Sequence, residues 1–378
     1  MLVLVAFMVI WMGLAWSWWG LSFLGLRKGD DRLAVGWWGE TGPEVVIVVM
    51  CALNGGKYIR DRVRKWVDQC GVDEVDVLTD GSTDDTDEQV WLGGGVVVHC
   101  GESRKAEKMR WVATHWAYGE DVVYVFTDQG TEPGSHYCAY RLAYGAWLSE
   151  GPVQGQRVGK GGTLLQDFQA VERGSAWAVM QSGRCRMGGS AMLAGSGWAI
   201  PANVLRATEF PTFSVTEDLA YTLGLAGSGV AVHFMEDVKV LDDLPTSWRG
   251  LWRQRVRWGR GTLQCVFSRL MGRAMVGREW GIGWVVILNQ VIGLCIWFLL
   301  VRALVVDPMR LVPWVGIMIL VGGFFSLAGA IRTRRWRGVF GYIVMWGIAT
   351  GAFMVAWCSW WVRTWVPTVY RGNEWRKT

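Results

Sequence analysis

Apolar runs and helical spacings alternate along residues 44–128 and predict strands and helices in turn. The segment "EVVIVVM" (44–50) is a β-branched run typical of a buried strand, and "KYIRDRVRKWVDQ" (57–69) repeats apolar residues at helical spacing. The same pattern predicts strands at 74–79, 95–99 and 121–127 and a helix at 105–116. Strands that alternate with helices at these intervals favour an α/β fold with a doubly wound, mostly parallel sheet.

Polar residues follow three of these strands. Asn54 comes after the first strand, Asp80 after the second and Asp128 after the fourth. Ligands of doubly wound sheets bind at the carboxyl ends of the strands, so these side chains are candidates for one ligand site. The alternative is that Asn and Asp simply favour the turns that follow strands.

The stretch "VTEDLAYTLGL" (215–225) places two adjacent carboxylates before an apolar segment. One interpretation is an exposed helix start, capped by Thr216, with Glu217 and Asp218 complementing the helix dipole. The other is a catalytic base at the mouth of a site. A further segment, "MGGSAMLAGSGWAIP" (187–201), is rich in small residues that suit either close ligand approach or ordinary turns.

Four uncharged apolar runs, at 1–26, 281–301, 311–330 and 338–362, are each long enough to cross a bilayer as a helix. Arg27 and Lys28 close the first run, and "RTRRWR" (332–337) separates the last two. The positive-inside rule places both basic groups in the cytoplasm. We therefore predict an N-terminal transmembrane anchor (1–28), a cytoplasmic domain (29–275) and a C-terminal transmembrane region of about three segments (276–378). The side of the C-terminal tail stays open.

The composition fits a multi-pass membrane protein better than a nucleic-acid-binding one. Of the 378 residues 51% are hydrophobic, and the net charge of +5 is too small to indicate nucleic acid as a partner. Much of the Arg and Lys lies beside the apolar runs, where lipid headgroups account for it. The eight cysteines show no metal-type spacing, and a cytoplasmic domain predicts free thiols.

The segment "SWRGLWRQRVRWGRG" (247–261) combines arginines with tryptophans just before the second apolar run. One interpretation is a basic collar that binds lipid headgroups. The other is a source of guanidinium groups for a diphosphate and of an indole for a sugar face.

From Glu44 to Gln264 the chain resembles the family 2 glycosyltransferases, particularly the membrane-embedded branch that includes cellulose, chitin and hyaluronan synthases. The resemblance is carried by "VTED" and "QRVRW" (254–258), together with "NGGKYI", "TDGSTDDT" and "FTDQGTEP", in the family's order. It implies a GT-A-like nucleotide-sugar fold and a membrane hexosyltransferase that extends a polysaccharide from a UDP-sugar with inversion.

The resemblance also assigns roles to individual residues. Asp80 matches the aspartate that holds the base or ribose, and Asp128 the first acid of the Asp-x-Asp that binds Mg²⁺ or Mn²⁺ and the diphosphate. Asp218 matches the general base, with Glu217 supporting it. The remaining assignments are Asn54 and Lys105 to the nucleotide sugar, and Gln254, Arg255, Arg257 and Trp258 to the diphosphate and acceptor.

The chain departs from the family pattern at three places. Gly130 stands where the second acid of Asp-x-Asp is expected, which leaves the metal to Asp128, the diphosphate and Glu132 as a further candidate ligand. Glycines replace the acid after Asn54, and "RKAEKMR" lacks the Asn of the usual "GKAxALN".

Several functions therefore stay open. The leading prediction is a polysaccharide synthase, for which a homo-oligomer or a partner subunit would help to complete a channel. The alternatives are transfer of a single sugar to a lipid, or a catalytically silent relative that binds nucleotide sugar. A transporter is disfavoured because the apolar runs carry no charged residue.

Overall fold

We describe the protein from a computed structural model covering residues 41–102, 104–116, 119, 121–174, 178–186, 188–276, 282–284, 286–287 and, with gaps, 323–365. The chain forms two compact units, which are described separately. The sheet unit contains the described residues of 41–158, 178–243 and 269–283. The helical unit contains those of 159–177, 244–268 and 284–378.

In the described part of the chain, the sheet has eight strands in the spatial order β3-β2-β1-β4-β7-β6-β8-β5. The strands are β1 (Val45–Cys51), β2 (Glu74–Leu78), β3 (Val96–Val98), β4 (Val122–Asp128), β5 (Thr131–Pro133), β6 (Val153–Gly159), β7 (Trp198–Pro201) and β8 (His233–Asp242). The helices that belong to the sheet unit are α1 (Gly56–Val67), α2 (Thr86–Leu92), α3 (Lys105–His115), α4 (Cys138–Ser149), α6 (Ala178–Arg186), α7 (Ala202–Ala207), α8 (Glu217–Gly227) and α10 (Arg269–Val276).

The first half of the sheet has the predicted parallel arrangement. Strand β1 pairs in parallel with β2 and β4, and β2 pairs in parallel with β3. The second half differs from the prediction, because β7 pairs antiparallel with β4 and β6, and β5 pairs antiparallel with β8. The sheet is therefore mixed.

Both faces of the sheet are covered, which explains why the central strands are apolar throughout. On one face, Val48 and Met50 of β1 pack with Trp66 of α1 and Leu142 of α4. On the other face, Val49 belongs to a cluster that contains residues of α3, α7 and α8. The fully buried Trp66 also donates its indole N–H to the carbonyl of Thr131 at 3.1 Å. The apolar residues that recur at helical spacing in the sequence thus form the buried face of α1.

The helical unit contains α5 (Leu164–Glu172), α9 (Trp248–Val266), a 3₁₀ turn (Trp336–Gly338) and α11 (Gly341–Trp365). Leu251 of α9 packs with Leu165 of α5 and Met345 of α11. Within α11, Ile343–Trp360 is long and apolar enough to cross a membrane, by length and composition. It coincides with the fourth predicted apolar run. The first run lies outside the described residues, as do most residues of the second and third.

Asp76 makes the stability of the sheet dependent on pH. It lies in the middle of β2 and is 5% exposed, and burial, with the nearby charge of Glu74, raises its pKa to about 7. Between its unfolded pKa near 4 and about 7, the native state keeps a proton that the unfolded chain has lost. Stability therefore falls as pH rises through this window, by up to about 4 kcal/mol.

We predict that Asp76→Asn removes most of this dependence. The free energy of unfolding of the wild type should be lower at pH 8 than at pH 5, and the variant should show a smaller difference in denaturant melts. Asp61→Asn, on the exposed side of α1, serves as the control and should retain the wild-type profile. Identical pH profiles for wild type and Asp76→Asn would contradict the assignment.

Candidate active site

Asn54 joins the loops that follow β1 and β2. Its φ of +48° is left-handed, a conformation that Asn tolerates better than most residues. Its side-chain oxygen accepts the N–H of Thr83 at 2.6 Å, and its own N–H donates to Ser82 Oγ at 3.1 Å. Asn54 thus lies at the predicted strand end, where it fixes the shape of the loop pair.

Neighbouring side chains lie close to the two glycines that follow Asn54. A Cβ at Gly56 would collide with the carboxylate of Asp85, and one at Gly55 would lie 2.9 Å from Gln129 Oε1. The N–H of Gly56 donates to Asp84 at 3.3 Å. A side chain at Gly56 would therefore require Asp85 to move, and an acidic one would lie beside the carboxylates of Asp84 and Asp85.

Asp80 lies at the end of β2, as predicted, and anchors the loop that follows β3. Its carboxylate accepts the backbone N–H groups of Cys100 and Gly101, both at 2.9 Å, and the Cys100 thiol at 3.2 Å. Burial alone would raise the pKa of Asp80, but these hydrogen bonds outweigh it and lower the pKa. Asp80 is therefore ionised at neutral pH and holds two strand-end loops together.

Lys105 forms ion pairs with both Asp128 and Glu217. Its ammonium lies 2.6 Å from Asp128 Oδ1 and 3.0 Å from Glu217 Oε1, and it donates to the carbonyl of Gly195 at 2.7 Å. Burial would lower the pKa of Lys105, but the two carboxylates outweigh it and raise the pKa. The three residues are far apart in sequence, so the sheet itself assembles this cluster.

Asp218 is held by two backbone N–H groups, from Gly195 at 2.7 Å and from Leu219 at 2.8 Å. Burial and the negative charge of Glu217 raise its pKa, which Lys105 partly offsets. A carboxylate with a raised pKa accepts protons more readily, as a general base requires. Thr216 precedes the helix, but its side chain makes no cap hydrogen bond and contacts Ser214 Oγ at 3.1 Å.

Gln154 is a supporting residue that the sequence did not reveal. It is fully buried on β6, where its side-chain oxygen accepts the N–H of Ala194 at 2.8 Å. Its amide donates to the carbonyls of Ser196 at 3.2 Å and Gly197 at 3.1 Å. Gln154 therefore fixes the segment that carries Gly195. The only sequence signal for this segment was its run of small residues.

Arg157 and Asp242 form a second support that sequence reasoning missed. Arg157 Nε donates to Asp242 Oδ2 at 2.6 Å, and Asp242 Oδ1 accepts from Thr131 Oγ1 at 2.9 Å. The Thr131 hydroxyl oxygen can in turn accept the hydroxyl of Ser196, whose Oγ lies 3.0 Å away. This ion pair thus reaches the same segment, 194–197. Nothing local in the sequence marks Arg157 or Asp242 as part of the site.

The residues present suit a divalent metal only if substrate phosphates supply further ligands. Among the described residues, no group of three His, Cys, Asp or Glu side chains could hold a metal ion. Gly130 offers no side chain, and Glu132 pairs with Arg62 and with Lys65, the latter at 2.8 Å. Mg²⁺ commonly binds to one or two carboxylates plus substrate phosphates, and Asp128 can supply one such carboxylate.

The "QRVRW" residues lie in α9 of the helical unit. Arg255 is 8% exposed and binds Glu172 through two nitrogens, at 2.9 and 2.5 Å, while its guanidinium lies 4.5 Å from the ring centre of Trp258. Gln254 Oε1 is buried without a hydrogen-bond partner in the described part of the chain, and Arg257 is exposed. Arg255 is thus engaged within its own unit, which the sequence did not predict.

The mixed α/β sheet carries acids and a lysine near the ends of its parallel strands. The sequence pattern of the Glycosyl transferase family group 2 matches residues 141–362, more than half of the chain. The protein belongs to this family. A search of curated proteins found no match.

Solved glycosyltransferase structures resemble the chain. A mannosyltransferase from Pyrobaculum calidifontis, in complex with GDP-Man and Mn²⁺, shares 17% identity over 90% of this chain and 97% of its own, with a TM-score of 0.50. Glucosyl-3-phosphoglycerate synthase from Mycobacterium tuberculosis, with Mn²⁺, UDP-Glc and phosphoglyceric acid, shares 20% identity over 58% of this chain and 79% of its own, at a TM-score of 0.42. The same enzyme with Mg²⁺ and UDP gives 19% identity, 58% and 79% coverage, and a TM-score of 0.41.

Proposed function

We propose that the protein is a membrane glycosyltransferase that moves a sugar from a UDP-sugar to a growing polysaccharide with inversion. The observation that carries the proposal is the cluster at Lys105. It joins Asp128, at the position of the donor-binding acid, to Glu217, the neighbour of Asp218. A donor-side acid and a base side by side are what a direct transfer between two substrates requires.

The chemistry follows from these positions. A hydroxyl of the acceptor is a poor nucleophile, so Asp218 would take its proton as the hydroxyl attacks the anomeric carbon from the side opposite the diphosphate. Glu217 would keep the pKa of Asp218 raised. Asn54 and Asp80 would shape the donor pocket, while Lys105 would pair with the phosphates. A single displacement needs no covalent enzyme intermediate.

Asp128 would hold Mg²⁺ or Mn²⁺ together with the diphosphate of the donor. The Pyrobaculum mannosyltransferase, whose fold this chain shares, is complexed with GDP-Man and Mn²⁺. When bound, such an ion offsets the negative charge that develops on the leaving diphosphate.

The membrane assignment rests on the apolar runs and on α11. We propose an anchor at 1–28, a cytoplasmic catalytic domain at 29–275 and a membrane region at 276–378, in which α11 is one crossing. Gln254, Arg257 and Trp258 would contact the diphosphate or the acceptor. Arg255 would serve mainly as their structural support, because it is paired with Glu172. Transfer of one sugar to a lipid is the second candidate, favoured by the same membrane runs.

Membranes containing the full chain, incubated with a panel of labelled UDP-sugars and with GDP-Man, test this proposal. We expect one UDP-sugar to label a product that grows with time, and the new glycosidic bond to have the opposite anomeric configuration to the donor. A product of fixed size that extracts with lipid would instead support the second candidate. Retained configuration would contradict the role of Asp218.

A further inference from the structure

The ammonium of Lys105 is fully coordinated by the protein itself. Its three N–H groups have three acceptors: Asp128 Oδ1 at 2.6 Å, Glu217 Oε1 at 3.0 Å and the Gly195 carbonyl at 2.7 Å. The side chain is 17% exposed, and Lys105 is the first residue of α3, which fixes its backbone. The protein therefore places a positive charge directly beside Asp128, the expected metal ligand.

Carboxylate oxygens border the space beside this ammonium. A Cβ added to Gly195 would lie 3.5 Å from Asp128 Oδ2, 3.6 Å from Asp218 Oδ2 and 3.7 Å from Lys105 Nζ, so these groups border one small space. Asp128 and Glu217 contact the lysine, and Asp218 borders the same space. Hard oxygen ligands of this kind suit Mg²⁺ and Mn²⁺, but an ammonium in their midst repels a divalent ion strongly at such distances.

We propose that Lys105 is an internal counter-cation that excludes free divalent metal from Asp128, so that the metal enters only together with the nucleotide diphosphate. A diphosphate brings oxygens for the metal and negative charge for the lysine. Lys105 can then exchange its contact with Asp128 for a phosphate oxygen, which leaves Asp128 Oδ1 for the metal. Gly130 matters here, because position 130 supplies no carboxylate that could recruit the metal beside Asp128 before the nucleotide arrives.

The inference rests on the proposed function in one respect, that Asp128 is the donor-side metal ligand. It gives Lys105 a role, exclusion of free metal, that binding of the donor's phosphates alone does not require. A lysine that only bound phosphate would leave the affinity for metal unchanged when no nucleotide is present. Metal affinity in the absence of nucleotide is therefore the property that separates the two roles.

The test is a Mn²⁺ titration of the purified full chain without nucleotide, with free Mn²⁺ followed by electron paramagnetic resonance. We expect Lys105→Met to bind Mn²⁺ at least about tenfold more tightly than the wild type, because removing one charge this close changes binding by at least that factor. Lys105→Arg keeps the charge and should bind like the wild type. Lys65→Met, which removes a lysine 2.8 Å from Glu132 elsewhere in the sheet unit, is the matched control and should also bind like the wild type.

Addition of UDP, or of GDP where the donor panel selects GDP, should raise Mn²⁺ binding by the wild type at least about tenfold. Circular dichroism and thermal melts check folding, and Lys105→Gln replaces Lys105→Met if the latter does not fold. Equal nucleotide-free affinity in wild type and the neutral variant overturns the inference, as does a wild type that nucleotide leaves unaffected. Tighter metal binding in the neutral variant, without transfer of any sugar by the wild type, would uphold the inference and refute the proposed function.

Discussion

Replacement of Asp218 by Asn is expected to lower the rate of sugar transfer by about 10²–10⁴-fold, the usual contribution of a positioned general base. Asn keeps the shape of the side chain, and its single carbonyl oxygen can accept one of the N–H groups that Gly195 and Leu219 donate to the two carboxylate oxygens of Asp218. Binding of labelled nucleotide, measured beside transfer, checks that the variant is folded. The ability to take up the acceptor proton is lost.

The measurement is transfer at saturating donor, beside Asp121→Asn, an exposed carboxylate of the same unit. The rate of the wild type should also fall on the acid side, because Asp218 acts as a base only when ionised. Its raised pKa moves this fall to higher pH than an ordinary aspartate would give. An Asp218→Asn variant within a factor of about three of the wild type, against the 10²–10⁴ of a general base, would remove Asp218 from the reaction.

Replacement of Arg255 by Met is expected to destabilise the helical unit by about 3 kcal/mol, because it removes the two-nitrogen ion pair with the largely buried carboxylate of Glu172. The pair is 8% and 18% exposed and is bonded through two nitrogens, so solvent screening is weak. The readout is the midpoint of thermal unfolding of the full chain in detergent. Arg253→Met, on the exposed side of the same helix, should change stability by no more than about 0.5 kcal/mol.

A double variant distinguishes a structural role of Arg255 from a substrate contact. Arg255→Met combined with Glu172→Leu removes both charges, and we expect it to recover most of the lost stability. If Arg255 mainly held the diphosphate, the single variant would keep the unfolding midpoint and show a raised KM for the donor instead.

The sequence predicted the parallel half of the sheet because local patterns determine it. The β-branched runs of β1 and β4 are buried on both faces and are apolar along most of their length, and β2 shows the same pattern interrupted by Asp76. The structure places these strands within one or two residues of the predicted bounds. The polar residues after them followed from the rule that ligands bind at strand ends, and Asn54, Asp80 and Asp128 lie there.

The rest of the sheet and site depends on contacts between distant residues. Strands β5 and β7 have only three and four residues, too few for a period to be read, and antiparallel pairing leaves no local mark. Lys105 meets Glu217, and Gln154 meets residues 194–197, only once the sheet has formed. Arg255 resembled a ligand-binding residue in the sequence, and its pairing with Glu172 becomes visible only in three dimensions.

The most direct test of the central claim is a stoichiometric transfer assay with the purified full chain, the UDP-sugar selected by the panel, and Mg²⁺ or Mn²⁺. We predict that sugar incorporated into product and nucleoside diphosphate released rise together in a one-to-one ratio, and that the rates of both fall by about 10²–10⁴-fold in Asp218→Asn. Binding of labelled UDP without release of nucleoside diphosphate from any donor would contradict the account, and would identify the protein as a silent relative that only binds nucleotide sugar.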